Sequence, residues 1–390
     1  MTLPQVPPRA LTVGPKYHWF GYYDKCQFDP TGRYVLGMEV DFEHRSPTPD
    51  DFLKVGIIDL QDGARWVELG HSHAWCWQQG CMLQWRPGAD AEIIWNDRQD
   101  GQFVCHILAI HSGKKQTLPF PIYTISPDGN TAFSIDFSRL NDMRPGYGYA
   151  GLDDLNGHNL APGQSGIWRL DLESESRELI VSLADIAKLP YPHADLSAAK
   201  HYFNHLLVNP TGTRLEFLHR WRLENKPGRG TRMLTCAPDG SDIRIVDDCG
   251  LTSHFIWYDV EHLLAWTLAH SRRGDFCLFN ERTGISKPIG SELMPQDGHI
   301  NCLPQAEWLI NDTYPNQEKI RSLYLYHVAK NQRIDIGAFL SPQEYEGEWR
   351  CDLHPRLSPD GKRVVIDSAH AGNGRQMYLI DISDVVGMPP

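Results

Sequence analysis

The sequence predicts an all-β chain folded as a seven-bladed β-propeller with four-stranded antiparallel blades. Three observations predict it. Apolar residues at helical spacing are nearly absent, and only Ser182 to Lys188 patterns as a short helix. A turn of the Ser-Pro-Asp-Gly type followed by a β-rich run recurs seven times. A second hairpin follows each copy, which makes four strands per unit.

The copies run the length of the chain. The first three turns are Phe28-Asp-Pro-Thr-Gly32, Trp85-Arg-Pro-Gly88 and Ser126-Pro-Asp-Gly129, followed by Arg33–Met38, Glu92–Trp95 and Thr131–Ile135. Asn209-Pro-Thr-Gly212 precedes Arg214–Leu218, and Tyr258-Asp-Val-Glu261 precedes His262–Trp266. Leu303-Pro-Gln-Ala306 leads into Trp308–Ile310, and Ser358-Pro-Asp-Gly361 into Lys362–Ile366. The second hairpins begin at Val55–Asp59, Ile107–Ile110, Ile167–Asp171, Met233–Cys236, Phe276–Phe279, Leu323–Tyr326 and Met377–Asp381. The last unit lacks a fourth strand, so Leu11 to Val13 is expected to supply it and close the ring. One domain then spans residues 1–390, with an insertion rich in Gly, Asn and Asp at about 137–165. A loop that long on a compact scaffold is commonly functional.

Composition narrows the class. Aromatic content (12 Trp, 15 Tyr, 14 Phe) is too high for a disordered chain. A net charge of −12 without a basic block argues against nucleic acid as a partner. No apolar run is long enough to span a membrane. Nine scattered cysteines, an odd number, fit free thiols in a reducing compartment. The N-terminus has no apolar stretch of a secretory signal. The expected location is the cytoplasm, or the periplasm or exterior if a leader has been removed. Nothing in the sequence speaks to oligomeric state.

The repeat also predicts where ligands go. The Pro-Asp-Gly turn joins the innermost strand of a blade to the next, so the opposite ends of both strands share the other face. That face collects His18, His73, Asn96, Asp97, Arg98, Asp136, His205, His219, Arg220, His254, His299, Asp312, Tyr314, Cys351, Asp352, His354 and Asp367. A concave mouth crowded with such groups is a candidate site. His299, Asp312, Cys351 and His354 make a donor set suited to a divalent metal, with zinc preferred, manganese or calcium as alternatives, and Asp352 able to replace Asp312. His73, His205, His219 and His254, with Arg232, form a second cluster suited to acid–base work and to gripping a carboxylate. Tyr147 and Tyr149 of the insertion could donate a proton or stack on a sugar. Asn96, Arg98, Tyr149, His205 and Arg220 are the expected substrate contacts.

These residues resemble a known family. With the seven-copy pattern, Thr231-Arg-Met233, Ser253-His-Phe-Ile-Trp257, Gly298-His299 and Leu353-His-Pro-Arg-Leu-Ser-Pro-Asp360 resemble the oligogalacturonate lyases. The N-terminal half is similar to the propeller ulvan lyases at His18-Trp-Phe-Gly-Tyr-Tyr-Asp24, Gln79-Gly-Cys-Met-Leu-Gln-Trp85 and Arg144-Pro-Gly-Tyr147. The first resemblance implies a divalent metal, His254 as general base and Arg232 as its assistant. It matches His299 and His354 to two metal ligands, but Asp352 stands where another His is expected and no Gln lies nearby. The second implies a structural zinc and chemistry by His73, His219 and Tyr147. Either implies β-elimination of a 4-linked uronate, with an acidic oligosaccharide or polysaccharide as substrate. Two other readings stay open: a propeller that only binds a glycan or protein, and a glycosidase using two of Asp97, Asp136 and Asp367.

Overall fold

The computed structural model describes residues 6–224, 228–304 and 306–387; Gln305 of the sixth turn falls outside them. Seven four-stranded antiparallel sheets form the propeller. Six are consecutive in sequence, and the seventh joins Arg356–Leu357, Arg363–Ser368 and Gln376–Asp381 to the N-terminal strand Arg9–Ala10. Arg9 and Ala10 pair with Leu379 and Tyr378, and the Leu11 amide continues the ladder to the Met377 carbonyl. The closing strand therefore starts two residues before the expected Leu11–Val13. Val13 itself is exposed.

Each blade is sandwiched between two others, so its second strand is buried on both faces. That explains the unbroken apolar runs Leu263-Leu-Ala-Trp266 and Val364-Val-Ile366, all buried, where an open sheet would alternate. Outermost strands such as Ser176–Ser182 are exposed or half-buried at all but one residue. The recurrent turn needs its glycine. Gly129 sits at φ +70°, its amide donates to the Ser126 carbonyl, and Asp128 accepts from the Asn130 and Thr131 amides.

The short helix is Leu183–Ala187, capped by the Ser182 side chain on the Asp185 amide. The insertion holds a further helix, Phe137–Met143, whose cap is Asp136 accepting from the Arg139 amide. Its polar composition had suggested loop alone. Arg139 ties the insertion down by donating to the carbonyls of His201, Asn159 and Leu160 and to Asp154.

One departure from the repeat shapes the centre. In blade 1 the inner strand Tyr17–Trp19 pairs with Met38–Val40, then leaves the sheet and returns only at the Phe28–Val35 bridge. The excursion carries Tyr22 and Tyr23 onto the propeller axis. It turns at Gly21, at φ +110°, where a Cβ would stand 2.9 Å from the Gln79 carbonyl carbon. On the turn face a cavity of about 730 Å³, lined by Pro30, Pro127, Pro210 and Pro359, ends against Tyr23, Asp24 and Lys25. The excursion thus separates that cavity from the opposite mouth.

Candidate active site and metal centre

The mouth is built from residues at or just before the start of the innermost strands, with His205 the exception, seventh in a ten-residue strand. His205 lies on Ala199–Val208 of blade 4 and His254 on Thr252–Trp257 of blade 5. His299 precedes Asn301–Cys302 of blade 6, and Asp352 and His354 precede Arg356–Leu357 of blade 7. Regular strands would not aim all of these at the axis. The pairing register slips between Asn204 and Leu207 and between Thr252 and Phe255. His205 and His354 adopt φ +54° and +43°, a conformation costing roughly 1–3 kcal/mol each. Three of the four histidines therefore sit on irregularities that re-aim side chains.

His299 and His354 stand with ring centroids 4.2 Å apart, and His254 lies 4.2 Å from His299 on the other side. The Nε2 atoms of His299 and His354 are buried without hydrogen-bond partners. They lie 4.0 and 3.9 Å from Asp352 Oδ2. Two orphaned imidazole nitrogens and a carboxylate oxygen converging in this way fit a divalent cation. Burial opposes charge on Asp352, but Arg350 and Arg321, each 2.7 Å from one of its oxygens, hold its pKa well below the carboxylate range.

Asp312 takes a different place from the one expected. His299 Nδ1 donates to both of its oxygens, at 2.9 and 3.0 Å, while the His299 and His354 amides donate to it as well. It fixes the tautomer that turns the His299 Nε2 lone pair toward the cation position. Cys351 does not join the group. Neighbours in extended chain point to opposite sides, so its side chain turns away from Asp352 to pack with Tyr345 and Ala369. Burial pushes its thiol up to about 12, and it lies outside the donor group of His299, Asp352 and His354.

The hydrogen bonding of His254 leaves one ring nitrogen able to take a proton. Its Nδ1 donates to Asp297 Oδ1 at 2.8 Å, which leaves the Nε2 lone pair for a proton. Burial lowers its pKa in spite of Asp297, so it is neutral at pH 7. Tyr22 packs on His205 at 4.9 Å and on His354 at 5.1 Å. Tyr147 arrives from the insertion, 5.6 Å from His205, and its hydroxyl accepts from Arg350 Nη2 at 2.7 Å. Arg144 stacks over the Tyr147 ring at 3.7 Å. Arg229 lies close to Arg144, Tyr202, Tyr147 and Tyr314, where burial and the charge of Arg144 lower its pKa. The two positive charges act on each other, which favours an anion nearby.

Other expected site residues are placed elsewhere. His219 is wholly buried, stacked on His201 and bonded to it at 2.8 Å, and it accepts from Arg232 Nε. Arg232 makes three further hydrogen bonds, to the carbonyls of Ile186, Leu189 and Pro190, at the end of the short helix. It has no fork free for a substrate carboxylate. Asn96 joins blade 2 to blade 3 through Ile122 and the Tyr149 hydroxyl, and Tyr149 is buried in a 4.2 Å stack on Phe137. Arg98 straps the Pro49 and Gly151 carbonyls together. Arg220 is buried across the sheet from Tyr202 and Thr231. The rings contacting His73 are Phe52 and His71, away from the axis. The carboxylates of a glycosidase are engaged too: Asp367 pairs with Arg356, Asp136 caps a helix, and Asp97 accepts from His106.

Sequence reasoning passed over Asp297, Arg350 and the central position of Tyr22. The available signal was adjacency: Asp297 lies two residues before His299, and Arg350 two before Asp352.

No family model and no curated protein matches the chain. Solved structures do. An oligogalacturonate lyase from Vibrio parahaemolyticus superposes with a TM-score of 0.68 at 12% identity, over 97% of this chain and 94% of its own. An oligogalacturonate lyase in complex with manganese gives 0.69 at 13% identity, with the same coverage. The β-propeller domain of the Trilobed protease from Pyrococcus furiosus gives 0.52 at 10% identity, over 94% and 96%. Over nearly its whole length, this chain has the seven-bladed fold of the oligogalacturonate lyases.

Proposed function

We propose that this protein is a polysaccharide or oligosaccharide lyase that cleaves a 4-linked uronic-acid glycan by β-elimination. The observation that carries the reading is His254, oriented by Asp297, standing beside the donor set of His299, Asp352 and His354. The likeness in fold to two oligogalacturonate lyases supports it.

His254 Nε2 takes the C5 proton, the electron pair forms the C4–C5 double bond, and the C4–O bond breaks. Asp297 stabilises the imidazolium that results. Tyr147 gives its proton to the leaving oxygen, and Arg350, already bonded to that hydroxyl, stabilises the phenolate left behind. Arg144 and Arg229 attract the acidic sugar to a protein whose net charge would otherwise repel it. A divalent cation held by His299, Asp352 and His354 would neutralise the substrate carboxylate and so acidify the C5 proton. Zinc was favoured for a thiolate that Cys351 does not provide. Two imidazoles and one carboxylate suit manganese as well as zinc, and suit calcium poorly. The manganese of one structural neighbour agrees with that set.

The test is ultraviolet absorbance during incubation with a panel of uronate oligosaccharides, with manganese or zinc supplied. A rising band from an unsaturated uronate is expected. Silence across the panel, with the fold verified, would leave a propeller that only binds.

A further inference from the structure

We propose that His71, His73 and Asp97 form a second divalent-metal site, separate from the central one, which clasps the first two blades together. The ion it would take is a borderline transition metal such as zinc.

His71 is the next-to-last residue of the outermost strand of blade 1, Arg65–Ser72, and His73 follows two residues on. Residues two apart in extended chain share a side, and the two rings stand 5.7 Å apart, nearly perpendicular. Asp97 comes from blade 2, on Glu92–Gln99. The three residues bring one nitrogen each and a carboxylate oxygen within 4.8 Å of one another. His73 Nδ1 lies 3.7 Å from Asp97 Oδ1, too far for a hydrogen bond. A cation between them would supply the missing interaction.

The carboxylate is already fixed for this task. Asp97 is 2% exposed at its side chain. Its Oδ1 accepts from the His73 and Arg98 amides, both at 2.7 Å, and its Oδ2 accepts from His106 Nε2 at 3.1 Å. His106 is held in turn by Thr117 at 2.8 Å. An oriented carboxylate backed by a histidine and a hydroxyl is the outer support a metal ligand needs. The central site uses the same device, where Asp312 orients His299. Burial works against the charge of Asp97, but these hydrogen bonds keep it ionised. Two imidazoles with one carboxylate select zinc, nickel or copper over magnesium or calcium. The positions left open at this rim go to water, because His71 is exposed. Lys115 is a competing cation, placed where it feels the charge of Asp97.

Zinc binding to metal-free full-length protein tests the site by equilibrium dialysis and calorimetry. Wild type is expected to bind two ions. The His71→Ala/His73→Ala variant should keep one, and His299→Ala should keep the rim ion while weakening the central one. Single His73→Ala should weaken rim binding at least about tenfold. As a check that needs no variant, zinc should protect His71 and His73 of the wild type from diethyl pyrocarbonate, read by peptide mass spectrometry. A stoichiometry unchanged in the double variant, or equal modification of both histidines with and without zinc, would overturn the proposal. Neither result bears on elimination at the centre, and loss of lyase activity in His254→Ala does not bear on the rim.

Discussion

His254 and His219 began as equals in the sequence, and the structure places them in different surroundings. His254 lies near the start of an innermost strand, whereas His219 is the fifth of nine residues on a second strand. Only innermost strands reach the axis, so distance from the axis decided between them and spacing could not. The same reason removes Asn96, Arg98 and Arg232, which lie on second or third strands. His254→Ala should lower kcat/KM by about 10²–10⁴ while the melting temperature holds. The acid limb of the pH profile should fall below pH 6.5, because burial lowers the pKa of His254. Asp297 raises that pKa, so Asp297→Asn should move the limb further toward acid as well as slow the reaction. A limb above 6.5 would exclude His254 as the base. Arg232→Ala should leave catalysis by the folded protein intact but cost about 2–4 kcal/mol of stability, since three carbonyls and His219 lose their donor. Urea unfolding followed by tryptophan fluorescence measures that loss.

Among the elements, turns and strands were readable where local chemistry dictates them. Ser126-Pro-Asp-Gly129 and Ser358-Pro-Asp-Gly361 announce their turns, and Ser182 announces its helix. The excursion between Trp19 and Phe28 carries no comparable signal. Its two tyrosines pass equally well for packing between blades, and only the assembled ring shows that they fill its centre. The helix Phe137–Met143 was hidden by the Gly and Asn that follow it. Because Gly21 turns the excursion at φ +110° against the Gln79 backbone, Gly21→Ala should shift Tyr22 away from His205 and His354. Stability should fall by about 1–3 kcal/mol and metal affinity with it. A variant with wild-type affinity and melting temperature would mean that the excursion does not support the site.

For the molecule as a whole, seven repeats made the architecture legible from end to end, since each blade repeats one turn and one pattern of burial. The mouth was legible as a face but only partly as a site. The proposed metal and base positions depend on strand irregularities at His205, His254 and His354, which no periodicity encodes. Buried histidines also set the response of the fold to acid. Burial lowers the pKa of His201 to about 4 and that of His219 well below 6.5, whereas both bind protons normally once unfolded. Between pH 4 and 6.5 the unfolded chain therefore holds more protons, and stability rises with pH. It is fully present above 6.5, and His201 alone accounts for about 3 kcal/mol lost by pH 4. Melting temperatures across that range should fall with acid; a flat profile would contradict the burial of this pair. The claim that joins fold to function is elimination at the mouth. It is tested most directly by mass spectrometry of the fragments formed from a 4-linked uronate oligosaccharide in water enriched with oxygen-18. The account predicts that fragment masses sum to the mass of the substrate, with no label incorporated, and that His254→Ala forms them about 10²–10⁴ times more slowly. Fragments that carry one added labelled water would make the protein a hydrolase and contradict it.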